Sequence, residues 1–158
     1  MRPYPEEVLR AIQTGVVSHF APELTSNYSK AQFAFAMILF GVATRDYDSA
    51  VPDLVDANTT LRALLTDAAA ALAGIARDDA ADAHAALAVL PPSASSLHLS
   101  ALRGENEALR ALVSQIAPLI EAAGDDPELA ALRPSRAAIF AHLSADARRR
   151  MVPILTAG

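Results

Sequence analysis

The residues with the most chemical potential in this 158-residue chain sit in a near-repeat. Asn58-Thr59-Thr60-Leu61-Arg62-Ala63-Leu64 and Asn106-Glu107-Ala108-Leu109-Arg110-Ala111-Leu112 share the pattern N-x-x-L-R-A-L. In each copy the Asn falls on an apolar seam of helical spacing and the Arg lies one turn on, at the seam's edge. A buried Asn must satisfy its amide, so it pairs with the other Asn, bonds a backbone carbonyl, holds water or meets a ligand. If the two helices lie side by side, Asn58, Arg62, Asn106 and Arg110 converge on a polar pocket suited to a carboxylate or phosphate. The competing reading makes each Asn a register pin, as single core Asn residues are in coiled coils. Each Arg then forms a surface ion pair with a nearby acid such as Glu107 or Asp67.

Other chemistry finds little to stand on. His19, His84, His98 and His142 fall on four different elements, without a second His at i+4 and without Glu-x-x-His, so helical di-metal and zinc-protease spacings are missing. The chain has no cysteine, which removes thiol catalysis and Cys-based metal sites. Ser93, Ser95 and Ser96 belong to no G-x-S-x-G elbow and read as linker and cap residues. Arg148-Arg149-Arg150 is the one basic run, and on a helix its side chains fan out about 100° apart, so it favours a helix C-terminus rather than building a flat basic face. No metal or cofactor is implied, and the chain is expected not to be an enzyme.

The elements that would position these residues read as helices. Pro5 with Glu6 and Glu7 opens the first, with Val8, Ile12, Val16 and Phe20 as its stripe and an end near Ala21-Pro22. Leu24-Thr25-Ser26-Asn27 is a connection with capping residues. A second helix, about Tyr28 to Tyr47, is apolar nearly all round and is expected at the centre of the bundle. Asp46-Tyr47-Asp48-Ser49 reads as a turn. The third helix, with Pro52 in its first turn, runs to about Ile75 or Arg77 on the seam Val51, Leu54, Asn58, Leu61, Leu65, Ala68, Leu72, Ile75.

An Ala-rich fourth helix covers Asp78 to Leu90, and Pro91-Pro92 with the following serines links it to a fifth over Leu97 to Ala123. The fifth carries the seam Leu99, Leu102, Asn106, Leu109, Val113, Ile116, Ile120, with Pro118 expected to kink its last turns. After Gly124-Asp125-Asp126-Pro127 comes one short turn, Glu128 to Leu132. A final helix follows over Ser135 to Leu155, with Ile139, Leu143, Met151 and Leu155 inward. Gly15, Gly41, Gly74 and Gly104 inside predicted helices suggest close helix crossings, Gly41 alternatively a cavity for an acyl chain.

Length, an apolar fraction of 53% and only 5% aromatics, carried by Ala and Leu, fit one all-α domain over residues 1–158 with a single core, an up-and-down bundle of five to six helices. A net charge of -5 argues against a nucleic-acid partner. The longest apolar run, Phe33 to Ala43, is eleven residues, about half the roughly 20 needed to span a bilayer. With no secretory pattern at Met1–Glu7, a cytoplasmic location is expected.

Pro5-Glu6-Glu7-Val8-Leu9, Ala21-Pro22-Glu23-Leu24 and Ser29-Lys30-Ala31-Gln32 resemble small bacterial all-helical proteins of unknown function. Genes of that group often lie near aminoglycoside-phosphotransferase-like and acyl-CoA dehydrogenase-like genes. The resemblance covers roughly the first 50 residues, implies a link to acyl-CoA metabolism and transfers no functional residue. The expected role is a non-enzymatic accessory or protein-interaction module, with a homodimer or another protein as partner. The alternative is a small-molecule binder or enzyme holding an anionic or acyl-type ligand at the Asn and Arg pairs.

Overall fold

The computed structural model describes residues 3–150, and among them it is all-α, with no strand. Five α-helices run in the order α1 (Pro5–Phe20), α2 (Asn27–Leu72), α3 (Asp78–Leu87), α4 (Leu99–Ala122) and α5 (Arg133–Arg150). Short 3-10 turns at Ala21–Glu23 and Pro127–Leu132 precede α2 and α5. The residues divide into two compact units, Met1–Ala50 and Val51–Gly158.

Most ends follow the local chemistry. Tyr4 donates its backbone N–H to Glu7 Oε2 at 3.0 Å ahead of α1, and the Ser26 hydroxyl accepts the Ser29 N–H at 3.0 Å ahead of α2. Asp126 Oδ1 accepts the Glu128 N–H at 2.9 Å, and Arg133 Nε donates to the Ala123 carbonyl at 3.1 Å, satisfying the end of α4. α4 continues through Pro118 to Ala122. The inward positions Met151 and Leu155, expected on the last helix, lie outside the described residues.

The turn expected at Asp46–Ser49 does not exist. α2 runs through it as one helix of 46 residues with Pro52 inside. A proline there costs one intrahelical bond but leaves φ helical, no residue nearby has a positive φ, and Asp46 accepts from Arg45 Nε at 2.9 Å instead of capping a new helix. The third predicted helix is thus the second half of α2.

In the Val51–Gly158 unit the second half of α2 and the helices α3, α4 and α5 alternate in direction. Asn58 lies beside Leu102, Arg62 beside Glu105 and Arg77 beside Asp126, so α2 and α4 run parallel. Arg110 meets Asp146 and Arg133 meets Ala123, so α5 runs against α4. The core fills the seams read from the spacing: Leu61, Leu65, Ala68 and Leu72 from α2 meet Leu109, Val113, Ile116 and Ile120 from α4, with Ala80, Leu87, Leu129, Leu132 and Ile139 closing the cluster. Its largest side chains, among them Leu65, Leu109 and Ile116, are essentially sealed from water. Burying one Leu or Ile fully stabilises by about 1.5–3 kcal/mol.

The Met1–Ala50 unit is different, and it overturns the expected central position of the second predicted helix. None of its described residues is buried. Phe33, Met37 and Phe40 are half-covered, but Phe35, Ile38 and Leu39 are exposed, as are Val8, Ile12 and Phe20 on α1. Nor do the glycines mark helix crossings: a Cβ at Gly15, Gly41, Gly74 or Gly104 would meet nothing within 4 Å.

Candidate functional site

The two seam asparagines meet. Both occupy the a position of a 3-4 repeat, Asn58 four residues after Leu54 and Asn106 four after Leu102, and in parallel helices equivalent a positions face each other. Asn106 Nδ2 donates to Asn58 Oδ1 at 2.8 Å, and Asn58 Nδ2 donates to the Leu102 carbonyl at 3.0 Å. Both residues are buried. One amide therefore bonds the other, and Asn58 spends its own donor on the α4 backbone.

The two arginines part company. Arg62 follows the d position Leu61, and Glu105 precedes the a position Asn106, the e and g flanks that pair across parallel helices. Arg62 Nε donates to Glu105 Oε1 at 2.7 Å. Its Nη2 lies 2.6 Å from the same oxygen without the alignment of a hydrogen bond, so the pair is not the parallel fork of a bidentate bridge. Glu105 Oε2 accepts the Ala94 N–H at 2.9 Å, which straps the connection after α3 onto α4. Burial pushes the Glu105 carboxyl up more than any other single influence, but the Ala94 N–H, the Arg62 guanidinium and the Asn58 amide together outweigh it and hold the group below its ordinary range.

Arg110 turns to α5, where its Nη1 lies 2.7 Å from Asp146 Oδ2. His142, one turn before Asp146, has its imidazole pushed down, chiefly by burial and against the pull of Asp146. Of the four residues expected to converge, Asn58, Asn106 and Arg62 thus form one constellation and Arg110 belongs to another. The acids differ from expectation too: Glu107 and Asp67 are exposed, and the partners are Glu105 and Asp146. Glu105 was findable from its flank position beside the Asn106 seam. Asp146 was not, because nothing in sequence says which helix α5 crosses.

Beside this constellation lies a cleft of about 210 Å³, lined by Asn58, Thr59, Arg62 and Glu105, by Val55 and Leu102, and by Ser93, Ala94, Ser96 and Leu97 of the connection. Its volume is below the roughly 300 Å³ at which pockets for drug-sized ligands begin. Its one cation is met by its one carboxylate, so an incoming anion would have to displace Glu105. Among the described residues no cluster of His, Asp and Glu could hold a metal ion, and no helix is long and apolar enough to cross a membrane. Compared with protein families, with curated proteins and with solved structures, the chain matches none.

Proposed function

We propose that this protein is a non-catalytic interaction module, in which the Val51–Gly158 unit is a folded scaffold and the Met1–Ala50 unit offers an apolar helical surface to a protein partner. One observation carries the reading. Val8, Ile12, Phe20, Phe35, Ile38 and Leu39 all stand exposed in a unit with no buried described residue. Exposed apolar surface beyond a few hundred Å² marks an interaction site more often than idle surface.

The competing reading, an anionic or acyl ligand held by Asn58, Arg62, Asn106 and Arg110, has less support. Both guanidiniums already face carboxylates, Arg62 that of Glu105 and Arg110 that of Asp146, and both amides are bonded within the protein.

The test is site-specific photocross-linking from position 35 in the producing cell, with position 103, on the exposed side of α4, as control. A protein adduct formed from 35 and not from 103 is the expected result. Equal labelling from both positions, or none from 35, refutes the interaction reading.

A further inference from the structure

We propose that the last two turns of α5 are a proton-operated latch, in which protonation of His142 loosens them from α2 and α4 while the rest of the Val51–Gly158 core stays closed.

The two halves of α5 are held by different forces. Toward its start, Ile139 is 2% exposed and belongs to the apolar core, and Leu143 packs against that core. Among residues 144–149 the one buried position is a carboxylate, Asp146, and the other five are exposed. Ion pairs, not apolar side chains, fasten this stretch. Arg110 of α4 lies 2.7 Å from Asp146, and Arg149 reaches Asp56 of α2 at 3.8 Å. Partly exposed pairs of this kind contribute about 0–1 kcal/mol each, against about 1.5–3 kcal/mol for one fully buried Leu or Ile. The end of α5 is therefore the part of the helix that a single added charge can release.

His142 stands at the root of that end. At about 100° per residue, His142, Asp146 and Arg149 fall within about 60° of each other, so the half-buried imidazole shares a face with both ion pairs. The charges acting on it come from every side: Asp56 from α2, Arg110 from α4, and Asp146 and Arg149 from α5 itself. Two are carboxylates and two are guanidiniums, and each carboxylate already faces an arginine. An imidazolium here either remains a half-buried cation beside two others or draws a carboxylate away from its arginine. Both outcomes weaken the fastening.

The neutral imidazole is the form that suits the closed helix. Burial first, and Arg149 and Arg110 with it, push the His142 imidazole down against the pull of Asp146 and Asp56. In the released state it returns to the ordinary histidine value of about 6.5. Closure is thus complete above that pH and is lost as pH falls from there through the lower value of the closed state.

Hydrogen exchange of the full chain, read by NMR as residue protection factors from about pH 7.5 to about pH 5.0, tests this above the ordinary carboxylate range of about 3.9–4.3. Protection from Leu143 to Arg149 should fall at least about threefold across that window, while Leu109 and Ile116 in the core keep theirs. His142→Gln, whose polar side chain does not titrate, should abolish the fall. The His142 imidazole resonances of the wild type should titrate with a midpoint below about 6.5, a readout that needs no variant. Protection unchanged across the window overturns the latch, as does a fall that persists in His142→Gln. A fall shared equally by Leu109 and Ile116, or a His142 midpoint at or above about 6.5, overturns it as well.

Discussion

Replacing the buried amides one at a time and then together gives a sharp check on how α2 and α4 are joined. Asn106→Leu leaves Asn58 Oδ1 without its 2.8 Å donor in a side chain only 3% exposed, and an unsatisfied buried acceptor costs about 1–3 kcal/mol. Asn58→Leu orphans the Asn106 amide at a similar cost and withdraws an amide from Glu105, while the Leu102 carbonyl loses only a supplementary donor. The double variant Asn58→Leu/Asn106→Leu removes both polar groups and puts two Leu where the coiled-coil pattern wants them. Its stability should stand near or above wild type. Urea unfolding followed by circular dichroism at 222 nm measures all four proteins, and a coupling free energy of at least about 1 kcal/mol is expected. If the double loss equals the sum of the single losses within about 0.5 kcal/mol, the two amides are independent and the register-pin account is wrong. Poorer dispersion of amide resonances in a stable double variant would show that the pair specifies alignment rather than adding stability.

Three further outcomes follow from the same scaffold. Glu105 has its carboxyl held below the unfolded value of about 4.3, so its contribution is complete above that pH and is lost as pH falls through the lower folded value; the stability gap between wild type and Glu105→Gln should therefore shrink steadily in acid urea titrations, and a gap constant down to about pH 2.5 contradicts the Arg62 pairing. Gly104→Ala, at an exposed interior position of α4 where a Cβ meets nothing, should stabilise by about 0.5–1 kcal/mol and raise the melting temperature. Leu65→Ala, at a fully buried position, should cost about 2–5 kcal/mol in the same urea assay.

Where sequence reading succeeded, it did so because spacing encodes which face of a helix must leave water. The seam from Leu61 to Leu72 and that from Leu109 to Ile120 are the two walls of the core, and the proline and glycine punctuation around residues 91 and 124 set the neighbouring ends. It failed at residues 46–49, because Asp and Ser occur on a helix surface as well as in a turn, and the chain there runs on as one helix through Pro52. It failed again at Phe35 to Leu39, because apolar composition states that a face wants cover and is silent about whether the same chain supplies it. At the candidate site, the meeting of Asn58 and Asn106 was among the stated options. The divergence of Arg62 and Arg110 depended on helix order in space, which the pattern of one helix does not contain.

The continuity of α2 also bears on how the chain acquires its shape. Starting a helix is the unfavourable step, and lengthening one is close to neutral. Val51–Leu72 is held by burial of Leu61, Leu65 and Leu72, so the exposed stretch from Asn27 onward inherits a nucleus it did not have to form. Its amides should exchange with solvent in a gradient, fastest toward Asn27 and slowest toward Leu61, as a helix that unzips from one end. Cover on Tyr28 to Leu39 would flatten that gradient without creating a single new backbone hydrogen bond.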